Sequence, residues 1–487
     1  MLFNSQIFIF VFLPATLLAY YLLRARVGHR WALASLIVAS LIYYGWWNPI
    51  YLPLLLGSLL FNFIVGQRLY GGGRPRLLAF GVIVNLTVLA IFKYTDFLLG
   101  TAAEIAGTDY VALNILLPLG ISFITFQKIA FLVDVHRGLT DPRDPLVYTL
   151  FVTFFPQLIA GPIVHHRDIS KQFADDARKD DVTNNLAIGL SLFSVGLAKK
   201  VLLADNLAIF ATPVFVAAER GEMLSLGLGW LGALAFTFQI YFDFSGYSDM
   251  ALGLARMFGY HLPINFNAPY RSISIVELWR RWHLTLAHFL RDYLYIPLGG
   301  NRKGELRHYV NLMATMTIGG LWHGAAWTFV AWGAMHGIYL TVNQLWRRRF
   351  GPPKEETLAL NVLKWTITFL CVVPGLVLFR AANFETAMRV MGAMVGLETW
   401  DWRLGSEPVL WVVGSFLIIW FVPDTARIFA PVLDPESLKR AHITAPPRFG
   451  LKPVWRPTTT YAVLAGALLL LALVNLSKTS AFIYYQF

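Results

Sequence analysis

Apolar runs recur along the whole chain, each closed by a short polar or basic stretch. Residues 7–23 form the first run and end at Arg24, Arg26 and Arg30; 31–47 end at the uncharged turn Trp47-Asn-Pro-Ile50; 51–65 lead to Arg68, Arg74 and Arg76. A fourth run, 77–92, leads to a connection carrying Asp96, Glu104 and Asp109, and runs at 224–241, 363–378, 409–422 and 461–474 repeat the pattern. A helix rises about 1.5 Å per residue, so runs of this kind approach the ~30 Å of a hydrocarbon layer. They predict membrane-spanning helices.

Other stretches carry helix breakers or charge inside the apolar pattern. Pro118 and Gly120 sit near the start of 114–135, which predicts a broken or tilted helix. Pro156 and Gly161-Pro162 divide 146–164, which predicts a dip into the membrane that does not cross it. Lys199, Lys200 and Asp205 interrupt 184–216, and 310–345 lies between two basic stretches, so it must be a hairpin or a deep pair of broken helices, weakened or bent at Gly319-Gly320. Residues 385–397 read as an interfacial helix. The fold class is therefore all-α: a polytopic integral membrane protein, a multi-helix bundle with broken or re-entrant helices and amphipathic interfacial helices. No internal repeat and no long polar linker divides the chain, which predicts a single domain over residues 1–487.

Composition agrees, with 57% hydrophobic and only 14% charged residues among 487, far from the balance of a soluble domain. The net charge of +12 does not point to nucleic acid, because the basic residues fall in short loops between apolar runs. That is the pattern of cytoplasmic loops. It places residues 24–30, 68–76, 302–307 and 347–349 in the cytoplasm and the N-terminus outside, and the tail 478–487 outside or folded back into the interface. The first run has no basic segment before it and no clear cleavage site, so it reads as a retained span. The one cysteine, Cys371, excludes an internal disulfide and a cysteine-based metal site.

Two histidines stand out as candidates for chemistry. His323, in Gly320-Leu-Trp-His-Gly-Ala-Ala-Trp327, lies near the deepest part of the expected hairpin, where an ionisable group is costly to keep. A neutral imidazole there suits proton abstraction from a hydroxyl; a structural hydrogen bond is the other reading. His283, in Glu277-Leu-Trp-Arg-Arg-Trp-His-Leu-Thr-Leu286, falls on the apolar face of a helix over 279–294, with Trp279, Trp282 and Leu290, whereas His288 falls on the solvated face with Arg281 and Asp292. Desolvation would keep the His283 imidazole neutral; a packed core histidine is the alternative. The histidine spacings match no zinc motif. Arg280, Arg281 and Arg302 suit contact with donor phosphates, or equally with lipid head groups. Asp243 and Asp249 sit six residues apart and are expected to orient helices rather than transfer protons. A multi-span transporter is the rival class, although the hydropathy shows no matching pair of halves.

At this point the motifs Leu117-Pro-Leu-Gly-Ile-Ser-Phe123, Phe155-Pro-Gln-Leu-Ile-Ala-Gly-Pro162, Tyr241-Phe-Asp-Phe-Ser-Gly-Tyr-Ser-Asp249, Leu278-Trp-Arg-Arg-Trp-His283, Tyr295-Ile-Pro-Leu-Gly-Gly-Asn301 and Leu321-Trp-His-Gly324 carry a resemblance. The chain resembles the membrane-bound O-acyltransferase family, in particular its bacterial alginate O-acetyltransferase type, and more distantly the membrane protein that transfers D-alanine to teichoic acid. The resemblance implies an enzyme of the inner membrane with His323 as its signature catalytic histidine and His283 as its second polar active-site position. It implies acetyl-CoA as a thioester donor and no permanently bound cofactor. It also implies an extracytoplasmic acetyltransferase or polysaccharide-modifying protein as partner, with alginate as one acceptor and D-alanylation of an envelope polymer as the alternative.

Overall fold

The computed structural model describes residues 1–159, 161–175, 181–351, 355–443, 453–476 and 483. Among them the chain is helical and contains no strand. After a π-helical turn at Phe8–Phe12 come α1 (Leu13–Arg26), α2 (His29–Gly45), α3 (Leu52–Leu69), α4 (Pro75–Ala106), α5 (Ile121–His136), α6 (Pro145–Thr153), α7 (Phe155–Leu158) and α8 (His166–Ala174). Then follow α9 (Val182–Ala198), a π-helical turn Lys199–Ala204, α10 (Asp205–Glu219), α11 (Leu226–Met257), α12 (Ile275–Trp279) and α13 (Leu284–Leu290). The last part holds α14 (Glu305–His323), α15 (Trp327–Phe350), α16 (Leu358–Arg380), α17 (Phe384–Met394), α18 (Ser406–Phe421), α19 (Thr425–Ile428), α20 (Pro435–Arg440) and α21 (Thr459–Val474).

Among the described residues six helical stretches are long and apolar enough to cross a membrane: Phe8–Arg26, Pro49–Leu69, Pro75–Ala106, Val182–Glu219, Leu358–Arg380 and Ser406–Val432. Their outward faces carry Leu18, Val38 on the neighbouring α2, Leu60 and Ile83, all well exposed. Exposed apolar area on this scale is a liability in water and the expected surface against lipid. The chain is an all-α integral membrane protein.

The chain divides into two compact units, one made of residues 1–194, 247–263 and 457–467, the other of 195–246, 264–456 and 468–487. In the first unit, short elements replace a span at 146–164. Nine residues of α6 and four of α7 reach about 14 Å and 6 Å, too short to cross. The chain breaks at Phe154, and the freed backbone groups find side-chain partners: Ser40 Oγ accepts from the Phe155 N–H at 3.1 Å and Gln157 Nε2 donates to the Phe151 carbonyl at 2.6 Å. Without water, such partners are what allows a broken helix at depth. Asp144 caps α6 by accepting from the Leu146 and Val147 N–H groups. The same unit pairs its buried polar side chains internally: Asn62 and Asn85 exchange amide hydrogen bonds between α3 and α4 at 2.7 and 3.1 Å, and Lys128 Nζ donates to Ser58 Oγ at 2.6 Å.

In the second unit the charged interruption at 199–205 does not end the helix. A π-helical turn absorbs it, and Lys200 Nζ lies 2.8 Å from both Asp205 and Asp243, with all three side chains under 5% exposed. The backbone N–H of Ile483 adds a hydrogen bond to Asp243. Asp243 lies well inside the long helix α11 and ties it to the π-helical turn through Lys200. Removing one member of such a buried set costs about 3–5 kcal/mol, because a charge is left unpaired. Helix α17 buries Ala387, Val390 and Ala393 and exposes Glu385 and Met388, an amphipathic element as predicted.

The hairpin expected over 310–345 is present as α14 and α15, and helix α14 continues unbroken through Gly319 and Gly320. Gly320 is there because α15 touches it: a Cβ at Gly320 would lie 2.3 Å from the Phe329 carbonyl oxygen, and one at Gly333 would lie 2.4 Å from that of Met316. Backbone contact between helices is a recurrent use of small residues in membranes. The C-terminal tail 478–487 lies outside the described residues apart from Ile483, as do parts of the polar loops at 176–180, 352–354 and 444–452.

Gly320→Ala is expected to force α14 and α15 apart and to lower stability by about 1–3 kcal/mol, the range for overpacking. Gly57→Ala, in α3 with nothing within 4 Å of the added Cβ, should be neutral or stabilising by up to ~1 kcal/mol through helix propensity. Thermal unfolding of the two variants in detergent measures the contrast.

Candidate active site

Helix α14 ends at His323, and the next helix begins four residues later, so the imidazole sits at the tip of the hairpin. It is only 4% exposed. Aromatic rings surround it: Trp322 at 4.9 Å between centroids, Trp332 at 5.1 Å and Phe379 at 5.2 Å, the last two from α15 and α16. His323 lines a cavity of about 30 Å³ together with Trp279, Trp282, Tyr270, Trp332 and His336. Such a cavity has room for about two water molecules.

His336 lies one helical turn beyond Trp332 on α15, and the two rings stand 4.8 Å apart. Its Nδ1 accepts from the indole N–H of Trp279 at 3.3 Å. An indole nitrogen only donates, so neutral His336 carries its proton on Nε2. No sequence motif marks this histidine as a site residue. Its signal was its spacing of four from Trp332 and thirteen from His323, which reads as ordinary helix packing until the hairpin is folded.

The continuous helix expected over 279–294 is not formed. Helix α12 stops at Trp279, Arg280 to His283 make a turn, and α13 starts at Leu284. His283 stands at φ 44°, ψ 53°, a left-handed conformation at the N-terminus of α13. The imidazole is nevertheless fully buried, against the edge of Phe244 at 4.7 Å. Burial thus follows from the corner rather than from a helical face. Asn265 builds that corner. Its carbonyl accepts the Leu284 N–H, while its side-chain oxygen accepts from the Thr285 N–H at 3.3 Å and the Thr285 hydroxyl at 3.0 Å and lies 3.1 Å from His283 Nδ1. An oxygen already held by two donors from Thr285 leaves Nδ1 of His283 as a third donor. Neutral His283 therefore presents its lone pair on Nε2. No motif in the sequence singled out Asn265, since an Asn eighteen residues upstream carries no local signal.

The Trp322 ring stands beside both His283 and His323, with centroids 6.3 Å and 4.9 Å from theirs. His288, expected on a solvated face, is half-buried, and its pKa is lowered chiefly by that burial and then by Arg291. Among the described residues no three His, Cys, Asp or Glu side chains converge as a metal site.

The sequence model of the membrane-bound O-acyltransferase family matches residues 141–379. A peptidoglycan O-acetyltransferase of Helicobacter pylori is 43% identical over 433 residues, 82% of this chain and 80% of that one. Proteins named as probable alginate O-acetylases are similarly close. That of Pseudomonas aeruginosa is 44% identical over 82% of this chain and 76% of its own, and that of Pseudomonas putida 39% identical over the whole of both. The chain belongs to the membrane-bound O-acyltransferase family. It is an O-acyltransferase, and the transporter alternative falls away. The matched region contains both histidines, the Asn265 corner and the aromatic cavity.

The three arginines of this acyltransferase stand in different surroundings. Arg280 and Arg302 are exposed, and no carboxylate pairs with either among the described residues. Arg281 is half-buried and ion-paired to Glu277 at 2.6 Å. A phosphate at Arg281 would have to compete with that carboxylate, whereas Arg280 and Arg302 are available as they stand.

Because His283 is left-handed, Asn is the fitting replacement, since Asn tolerates that conformation. His283→Asn is expected to lower acyl transfer at least about 10²-fold, the scale on which a positioned acid or base acts. His288→Gln should stay within about threefold, as for a change worth under ~0.5 kcal/mol. Transfer rates at equal folded concentration decide between a working His283 and a merely packed one.

Proposed function

We propose that this protein moves an acetyl group from a cytoplasmic thioester, acetyl-CoA, across the inner membrane for O-acetylation of an extracytoplasmic polysaccharide such as alginate. The observation that carries the reading is the position of His323, buried at the hairpin tip and lining a small aromatic cavity. In this reading His323 acts as general base or engages the acyl group itself. As base it takes the proton of the attacking hydroxyl, the hydroxyl oxygen bonds to the acyl carbon, the carbon–sulfur bond breaks, and the proton passes to the leaving thiolate. His283, with its Nε2 lone pair, orients or assists.

Arg280, Arg281 and Arg302 hold the donor phosphates at the cytoplasmic mouth, with Arg281 exchanging Glu277 for phosphate. The whole of residues 1–487 works as one domain, with its N-terminus outside. A separate extracytoplasmic acetyltransferase or polysaccharide-modifying protein completes delivery to the polymer, and no cofactor stays bound between turnovers. Similarity to the named O-acetyltransferases over most of the chain supports acetyl over D-alanyl as the acyl group.

His323→Ala is expected to lower acetyl transfer by about 10²–10⁴-fold while leaving membrane insertion and thermal midpoint nearly unchanged. Release of free thiol from acetyl-CoA by protein in lipid nanodiscs reads the rate. Wild-type turnover of a D-alanyl thioester and not of acetyl-CoA would move the reading to D-alanylation.

Single cysteines placed at position 72 or 348, in the cysteine-free Cys371→Ser background, should resist a membrane-impermeant thiol reagent in intact cells and react after the inner membrane is opened. Strong labelling in intact cells would invert the topology.

A further inference from the structure

Two side chains that line the cavity beside His323 carry N–H donors that the reaction described above does not use. The first is Nε2–H of His336, whose tautomer is set by the Trp279 indole donating to Nδ1 at 3.3 Å. The second is the indole N–H of Trp332. Trp332 is 5% exposed, and its nitrogen has no hydrogen-bond acceptor among the described residues. Both side chains line the cavity that His323 lines, and the Trp332 ring stands between the two imidazoles, 5.1 Å from one and 4.8 Å from the other. No carboxylate is hydrogen-bonded or ion-paired to His336 among the described residues.

A buried donor without an acceptor is costly to maintain. The Trp332 N–H is such a donor, and with the Nε2–H of His336, on a side chain lining the same small cavity, it suits a ligand group that only accepts, such as the acyl carbonyl oxygen. When the hydroxyl attacks, the carbonyl π-pair moves onto that oxygen, and prealigned N–H donors in a water-poor site favour the charge that develops there. Collapse of the intermediate returns the pair to the carbonyl and expels the thiolate.

We propose that His336 Nε2–H and the Trp332 indole N–H form the oxyanion site of the transfer reaction, with Trp279 as the positioning residue that holds the His336 tautomer. The proposal rests on the acyl-transfer reading but not on the identity of the acyl group. His336 donates throughout and does not exchange its proton.

The test uses full-length protein in nanodiscs with acetyl-CoA, propionyl-CoA and a D-alanyl thioester as donors. The donor that the wild type turns over is carried forward, so the acyl identity and the role of the two donors are read separately. Trp332→Phe keeps a ring and removes the N–H; His336→Met removes the donor, and His336→Gln restores one. Trp332→Phe and His336→Met are expected to lower kcat about 10²–10³-fold each, the loss seen when one oxyanion donor is removed, with KM within about threefold and thermal midpoints unchanged. His336→Gln should recover at least tenfold over His336→Met. Trp279→Phe should lower kcat with little change in KM, a split that loss of packing alone would not produce. The proposal is overturned if Trp332→Phe and His336→Met stay within threefold of wild-type kcat. It is equally overturned if His336→Gln is as inactive as His336→Met, since that outcome makes His336 a proton-transfer group instead.

Discussion

Two glycines let the backbones of α14 and α15 touch, and the arrangement of His323, Trp332 and His336 depends on that contact. With Gly320 against the Phe329 carbonyl and Gly333 against that of Met316, the two helices are too close for any side chain to stand between them at that level. Side chains beyond the crossing are driven toward the tip, where the rings of His323, Trp332 and Phe379 close on one another at 5.1–5.3 Å. Lipid is as apolar as a leucine side chain, so hydrophobic burial contributes little to choosing which face of α14 meets α15. Close packing of small residues makes the choice instead.

Polar pairs make similar choices elsewhere. The Asn62–Asn85 exchange, the Lys128–Ser58 hydrogen bond and the Lys200–Asp205–Asp243 cluster each join neighbouring helical segments at a defined level. Hydrogen bonds between membrane helices are worth only about 0.6–2 kcal/mol each, too little to explain the stability of the bundle but enough to select one rotation of a helix over another. The charged cluster differs in scale. Its net stabilisation is modest because desolvation offsets attraction, whereas disrupting it leaves an unpaired charge. That asymmetry makes it a strong specifier of how the π-helical turn seats against α11.

The two histidines of the family motifs owe their chemistry to different supports. His283 is held by hydrogen bonding through Asn265, which commits one ring nitrogen and leaves the other as acceptor. His323 is held by aromatic packing, and His336 nearby is oriented by an indole. Three imidazoles thus sit in one unit with distinct surroundings, and the difference between an accepting and a donating nitrogen arises from neighbours rather than from the histidines themselves. An acyl transfer needs both kinds of group: an acceptor for the hydroxyl proton and donors for the carbonyl oxygen.

Much of the fold was legible in the chain because membrane insertion imposes a local rule. A span must be apolar over its own length and satisfy its own backbone hydrogen bonds, so the run at 51–65, the hairpin at 310–345 and the breaks at Pro118, Pro156 and Gly161 could be read one at a time. His323 was legible for the same reason, as a costly group within an apolar stretch. Groups whose role depends on distant neighbours were not. The periodicity over 279–294 suited a continuous helix, yet Asn265 pulls the chain into a left-handed corner at His283, a contact across eighteen residues that outweighs local propensity. Gly320 read as a weak point in a helix and is instead a contact surface. His336 carries no sequence motif of its own, and only folding sets it beside Trp279 and Trp332. Sequence periodicity reports which face of an element is apolar; only the assembled helices set which polar atoms meet, because hydrogen bonds are short and directional and their partners come from different parts of the chain.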